Sequence, residues 1–560
     1  MQGYEEYNRW LAQPDLPDDL REELESIRGD EMQISDRFYR DLAFGTGGLR
    51  GVLGAGTNRM NRYMVRKATQ GLARYLLSGP ACRRRVAIAH DSRLNARLFA
   101  VEAGRVLAAN GIEAYLYPRL EPTPALSWAV RALGCDAGIC ITASHNPAEY
   151  NGYKVYGSDG CQITVAAAEK IQECINGVDC FSDVRVLEEN RAREQGLLRD
   201  IPEEILDGFI DAVYEQRMPS PEGLPPLKVV YTPLNGAGLE CVSRILHKIG
   251  VLDLTVVPEQ AEPDGNFPTC PYPNPEIREA LQTGIELCAT VQPDLLLATD
   301  PDCDRVGVAV RAQNGDFVQL TGNEAGVLLL DFICQTRRRA GRMPEFPVAV
   351  STIVSTDMAD AVARKYNVEL RRTLTGFKFI GEQIGLLEQK GECERYILGF
   401  EESYGYLSGP HVRDKDGVNA AMLICQMAQF YKACGQNLLQ RMQMLYDEFG
   451  WFQDALHSYN FKGQAGFLRM QDIMNALRTS PPAYLAQRKV ACVVDYSVGV
   501  KDLPPADVME FQLEEGGKVL VRPSGTEPKM KIYLFARGQD RAEAQTMLDA
   551  LRRDIEKYLS

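Results

Sequence analysis

At 560 residues the chain is longer than one hydrophobic core usually serves, so about two to four domains are expected, with clefts between them available as active sites. With 45% hydrophobic residues, 25% charged residues and a formal net charge of -14, the composition is that of a soluble protein and argues against general nucleic-acid or anionic-membrane binding. An anionic small molecule would have to be met by local basic groups. The 15 cysteines are an odd number without a CxxC pair, and Cys140, Cys288 and Cys425 sit in apolar runs, which fits a reduced protein. The polar, acidic start and the lack of a long apolar run predict a cytoplasmic location without export or membrane spanning.

Residues 1–40 carry spaced apolar positions (Trp10, Leu11, Leu16, Leu20, Leu24, Ile27), which predicts two short amphipathic helices ahead of the first glycine-rich loop. From Arg85 strand and helix alternate: strand over 86–89, helix over 96–109, strand over 114–117, helix near Leu126, strand over 138–141. The theme recurs in the strand over 228–231, its helix through Ile249 and the strand over 294–298. It recurs again in the strand over 348–351, the helix near Ala359 and the strand over 396–400. Three α/β units with parallel strands follow from that alternation. After about residue 455, strands around Cys492, Phe511 and Leu520 and a helix over 541–558 predict a smaller α+β unit. The expected divisions are 1–205, 206–320, 321–454 and 455–560.

Loops at the carboxyl ends of strands are where open α/β sheets place ligands, and the informative segments fall there. Thr299-Asp300-Pro301-Asp302-Cys303-Asp304-Arg305 sets three carboxylates at alternate positions after the apolar Leu295-Leu296-Leu297. Three hard oxygens so spaced can converge on one small divalent cation, with magnesium the natural occupant, whereas the glycine and terminal glutamate of an EF-hand are missing. Read as an acidic turn instead, the cluster would leave three like charges uncompensated. In Thr142-Ala143-Ser144-His145-Asn146-Pro147, a serine hydroxyl at a strand end could accept a phosphoryl group beside a metal and a base. Alone, that loop reads first as an ordinary Asn-Pro turn with a helix cap.

Arg522-Pro523-Ser524-Gly525-Thr526-Glu527-Pro528-Lys529 offers an arginine, two hydroxyls, exposed amides and a lysine, the elements of an oxyanion cradle. Phe44 to Gly51 offers amides and Arg50, while Gly399 to Gly405 offers acceptors and a hydroxyl suited to sugar hydroxyls. Thr375-Gly376-Phe377-Lys378 reads either as a binding loop or as the start of a buried helix. The basic runs Arg83-Arg84-Arg85 and Arg337-Arg338-Arg339 read as surface rather than as phosphate sites.

Taken together and in this order, the motifs resemble the α-D-phosphohexomutase family from about Leu42 to Tyr533. The loop Gly399 to Gly405 and the N-terminal extension are most similar to its phosphoglucomutase-2-type branch. The resemblance implies a four-domain architecture, three similar α/β domains and a smaller α+β domain around a central cleft. It implies an isomerase in which Ser144 is phosphorylated, Asp300, Asp302 and Asp304 hold Mg2+ together with that serine, and Arg305 supports its phosphate. It further implies Arg50, His145 and Lys154 at the reacting phosphoryl group, with Lys154 a base. Thr375, Gly376, Lys378, Glu401 and Ser403 would contact the sugar, and Arg522, Ser524, Gly525, Thr526 and Lys529 the other phosphate. Phe400 stands where many relatives have glycine, and no histidine follows Ser403 as in the bacterial phosphomannomutase branch.

The activity so implied is interconversion of glucose 1-phosphate and glucose 6-phosphate, with glucose 1,6-bisphosphate as intermediate and activator and a monomer or weak homodimer as the working form. Phosphomannomutase, phosphopentomutase and bisphosphate synthase activities share the same serine and aspartates. A metal-dependent phosphatase and a non-catalytic sugar-phosphate sensor are the readings from outside the mutases.

Overall fold

The computed structural model describes residues 3–45, 47–79, 84–221, 223–461, 463–523 and 529–559, the side chains of 463–465 aside. The chain opens with three short helices, Tyr4–Leu11, Asp18–Ser26 and Glu31–Phe38, where the apolar spacing predicts two. The third stands on Ile34 and Phe38, both buried, and on Asp30, whose carboxylate accepts the Gln33 N–H (3.0 Å) as a helix cap. Trp10 is fully buried, its ring edge-to-face with Phe38, Tyr63 and Phe181. These contacts lay the extension onto the first α/β unit.

Three sheets repeat one four-strand order. In the first it is Tyr150–Gly157, Ala137–Ile141, Arg85–His90, Glu113–Leu116; in the second Val306–Arg311, Leu295–Thr299, Lys228–Thr232, Asp253–Val256. In the third it is Tyr406–Leu407, Tyr396–Phe400, Val348–Thr352, Glu369–Thr373. The last three strands of each set run parallel, but the first pairs antiparallel with its neighbour, so the sheets are mixed rather than parallel as the alternation predicts. The physical reason is the connection: the chain returns through a hairpin, without the helix a parallel crossover needs. Ala137–Ile141, Leu295–Thr299 and Tyr396–Phe400 are buried at every position, which is why they read as unbroken apolar runs.

Helix Gly417–Ala433, buried almost all round, fills the space between the second and third units. Its Met422, Leu423 and Ile424 belong to one continuous core that also holds Leu126, Phe209, Tyr231 and Ile397. The fourth unit is an antiparallel sheet in the order Trp451–Asn460, Lys529–Gly538, Lys518–Pro523, Met509–Leu513, Arg488–Asp495, Tyr484–Leu485, with helices Gly463–Thr479 and Arg541–Glu556. We propose that this unit begins at Trp451 rather than 455, because Trp451–Asn460 pairs along its whole length with Lys529–Gly538. It rests on the third unit through an apolar cluster, Ile353, Val354 and Leu374 against Tyr496, Val508, Leu520, Tyr533 and Phe535, and through the Trp451 ring stacked on Tyr446 (4.2 Å between centroids). The Lys518–Asp357 ion pair (2.6 Å) lies beside that cluster.

In the basic runs, Arg338 and Arg339 lie over the rings of Tyr366 and Phe430 and Arg84 pairs with Asp136 (2.7 Å), while Arg83 lies outside the described residues. The described cysteines are free thiols, and no helix of the described residues is long and apolar enough to cross a membrane.

Candidate active site

The three buried strands end in three hairpin loops that meet. The first carries Ser144, buried and held at φ 54, a left-handed conformation uncommon outside glycine. Its N–H donates to the Thr142 hydroxyl oxygen (2.8 Å), and that hydroxyl donates to Asp91 (2.6 Å). Gly152 on the returning strand admits this loop, since a Cβ there would lie 2.4 Å from the Thr142 carbonyl oxygen. The Ser144 hydroxyl donates to Asp300 Oδ2 (2.9 Å), across to the second unit, and lies 3.1 Å from His145 Nδ1. Loss of hydration, then the charges of Arg305 and Arg50, hold the His145 imidazole well below its usual range, so the ring is neutral. Arg50 reaches the Asn146 side-chain oxygen at 3.4 Å.

The second hairpin brings Asp300, Asp302 and Asp304 together, with one ligand atom from each within 4.8 Å of the others. All three are buried, and Oδ1 of Asp302 and Oδ1 of Asp304 have no hydrogen-bond partner. Orphaned carboxylate oxygens facing one point are what a hard divalent cation needs, so the donor set fits magnesium. Burial first, then the neighbouring Asp302 and Asp304 charges, push the Asp300 carboxyl well above the usual range. Burial also opposes ionisation of Asp302, but Lys154, 2.7 Å away, outweighs it and holds that carboxyl low. For Lys154 itself burial favours the neutral amine, and Asp302 and Asp304 reverse the balance, so the ammonium keeps its proton.

Lys415 comes to the same centre from the third unit, 3.2 Å from Asp304 Oδ2. Its loop is tied to the metal hairpin by the Gly417 N–H, which donates to the Cys303 carbonyl (3.1 Å), and to the first unit by the Tyr156 hydroxyl on Asp414 (2.9 Å). Nothing in the sequence singles out Lys415, because Arg413-Asp414-Lys415-Asp416 reads as a solvated charge run. Glu276, the ion-pair partner of Arg305, and Arg93, beneath the serine loop, are missed because their partners are remote in the chain.

The third hairpin presents Glu401, Glu402 and Ser403. Glu401 Oε1 accepts the Gly376 N–H (2.8 Å), joining Thr375 and Gly376 to the third hairpin. Lys378 follows in the first turn of helix Phe377–Gln389, its pKa lowered by burial. Arg522 is next to last in one strand of the fourth sheet and Lys529 begins the next, while Ser524, Gly525 and Thr526 lie outside the described residues. Lys531, opposite Arg522 in the ladder, feels the charges of Glu402, Glu276 and Arg305, so this part of the fourth sheet lies toward the second and third hairpins.

Four family models match in order: phosphoglucomutase/phosphomannomutase alpha/beta/alpha domains I, II and III over residues 41–180, 207–315 and 321–449, and its C-terminal domain over 484–553. A phosphoglucomutase of Staphylococcus aureus (strain MRSA252) is 34% identical over 535 residues, covering 93% of this chain and 94% of the relative. The chain belongs to the phosphoglucomutase/phosphomannomutase family. As a member of that family it is a sugar-phosphate mutase, an isomerase. A second relative, a phosphoglucomutase of Staphylococcus epidermidis, is 35% identical over 505 residues, with 88% and 90% covered. Among solved structures, parafusin, a phosphoglucomutase of Paramecium, superposes with TM-score 0.68 at 18% identity, covering 93% of this chain and 95% of that one. A phosphoglucomutase/phosphomannomutase family protein of Burkholderia thailandensis gives 0.67 at 19%, with 92% and 97% covered. These two share the mutase fold.

Proposed function

We propose that this family member is a phosphoglucomutase that passes a phosphoryl group between Ser144 and the 1- and 6-hydroxyls of glucose phosphates, with glucose 1,6-bisphosphate as the bound intermediate. The observation that carries the reading is the 2.9 Å hydrogen bond from the Ser144 hydroxyl to Asp300, which seats a nucleophile of one unit on the acidic triad of another. The names of the relatives support glucose as the sugar.

In the first half-reaction the bond from phosphorus to Ser144 Oγ breaks as phosphorus bonds to a sugar hydroxyl oxygen, and the proton of that hydroxyl passes to Ser144 Oγ. In the second the phosphorus–oxygen bond at the other end of the bisphosphate breaks as phosphorus bonds to Ser144 Oγ, whose proton passes to the freed sugar oxygen. Ser144, Asp300, Asp302 and Asp304 would hold magnesium, which would supply positive charge against the transferring phosphoryl oxygens. His145, neutral and 3.1 Å from Ser144 Oγ, can take or return a proton at that atom. Lys154, which the resemblance puts forward as a base, starts protonated, so we assign it the acid's part first; in the reverse direction the same amine accepts the proton. Arg50, Arg305 and Lys415 hold phosphoryl oxygens, Glu401 and Ser403 with Thr375, Gly376 and Lys378 read sugar hydroxyls, and Arg522 to Lys529 hold the second phosphate. Burial of the bisphosphate among four loops would keep water from it.

The test is to incubate the full chain with magnesium and glucose 1,6-bisphosphate labelled in phosphate, map the label, and assay glucose, mannose, glucosamine, ribose and deoxyribose 1-phosphates for isomer and free phosphate. Label on Ser144, none on Ser144→Ala, and highest turnover with glucose 1-phosphate are expected. Turnover by Ser144→Ala, or phosphate release matching substrate loss, would overturn the reading.

A further inference from the structure

Arg93 takes no part in the chemistry just described, yet its guanidinium is fully buried directly under the serine loop. One terminal nitrogen donates to the carbonyl oxygens of Ser144 (2.6 Å) and Asn146, the other to those of Pro147 (2.8 Å) and Tyr150 (3.0 Å). Asp91, also fully buried, lies 3.4 Å from Arg93 Nε with the same Oδ2 that accepts the Thr142 hydroxyl. Ser144 is therefore gripped on both sides: its N–H through Thr142 and Asp91, its carbonyl by Arg93. A serine in the left-handed region stays there only where its surroundings over-determine it, and these two grips do so.

The second unit presses on the same guanidinium. The ring of Phe267 lies over it, 5.1 Å from ring centroid to Arg93 Cζ. The loop before that ring sits so close to the first unit that a Cβ on Gly265 would fall 2.4 Å from the Leu94 nitrogen. A planar donor with four acceptors on one loop and an aromatic cover from another unit links how the units are seated to how the loop is shaped.

We propose that Arg93 is a positioning residue: it holds Ser144 in the conformation that aims its hydroxyl at the aspartate hairpin, and Phe267 makes that hold depend on the seating of the second unit against the first. The inference rests on the reading of Ser144 as phosphoryl carrier. A buried arginine that served stability alone would lower the folded fraction and leave the kinetics of folded molecules unchanged.

The experiment compares full-length wild type, Arg93→Gln, Arg93→Gly and Phe267→Leu. It measures the rate of phosphate appearance on the Ser144 peptide from glucose 1,6-bisphosphate with magnesium, steady-state kcat and KM, and thermal midpoint. Displacing the nucleophile should slow Ser144 phosphorylation and kcat in Arg93→Gln by roughly 100-fold per folded molecule, with KM for glucose 1-phosphate little changed. Millimolar guanidinium ion should restore Arg93→Gly by about tenfold, while Phe267→Leu should lose several-fold. Wild-type phosphorylation rates in folded Arg93 variants, a loss confined to KM, or no response of folded Arg93→Gly to guanidinium would overturn the proposal. Should the Arg93 variants fail to fold, Phe267→Leu decides: a wild-type phosphorylation rate in that variant overturns the proposal. A wild type that takes up no phosphate at Ser144 would instead bring down the functional reading, whereas equal labelling of wild type and variants brings down only this one.

Discussion

Two ammonium groups, Lys154 and Lys415, are set against the three carboxylates that would hold the cation. Each competes electrostatically with a metal ion and at the same time offers charge to a phosphate. Removing one should raise affinity for the cation while weakening catalysis. Lys415→Met is therefore expected to lower the magnesium concentration for half-maximal activity several-fold and kcat by about tenfold or more, measured by titrating magnesium at saturating substrate. Glu402 gives a pH signature. Burial first, then the Glu401 charge, raise its pKa from 4.5 to about 8. Because the folded value lies above the unfolded one, the stability it contributes is complete below about pH 4.5 and is lost as pH rises through about 8. Glu402→Gln should match wild type in thermal midpoint at acid pH and exceed it at pH 9. At this scale the aspartates were legible because alternate acids after an apolar strand have few other uses. Lys415 and Arg93 were not, because what defines them is a partner more than fifty residues away or in another unit.

At the scale of elements, one hairpin recurs three times and, on the proposed reading, serves three uses: nucleophile, cation and sugar. The strands before each were readable as apolar runs, to within a residue or two at the ends. The returning strands were not, since Tyr150–Gly157 is rich in tyrosine and glycine and Tyr406–Leu407 is two residues long. The extension hid its third helix in the same way, with only Ile34 and Phe38 to mark it. The hairpins depend on close seating at their bases. Gly417 starts the central helix against Cys303, and a Cβ there would lie 2.5 Å from the Cys303 carbonyl oxygen. Gly417→Ala should destabilise the protein by roughly 1–3 kcal/mol in denaturant melts and cost activity beyond that, because it pushes Lys415 away from Asp304.

For the whole molecule, the divided centre makes the cation a structural link as well as a chemical one. Magnesium at a hundred times its Kd should add about 2.7 kcal/mol to the stability of the folded state, seen as a rise in thermal midpoint that EDTA reverses and Asp302→Asn abolishes. The general plan, three α/β units and an α+β unit, was legible from the rhythm of strand and helix. How the fourth unit sits on the others was not, because Tyr496, Val508 and Leu520 meet Ile353, Val354 and Leu374 only in space.

That seat has a consequence for the pace of turnover. On the proposed reading this unit carries the clamp for the second phosphate, and if it moves away to free a product it must drag solvent, so friction with the medium enters the rate. Raising viscosity with sucrose should slow kcat of the wild-type enzyme in near proportion. Arg93→Gln, in which the chemical step is the slow one, should be indifferent to the syrup around it.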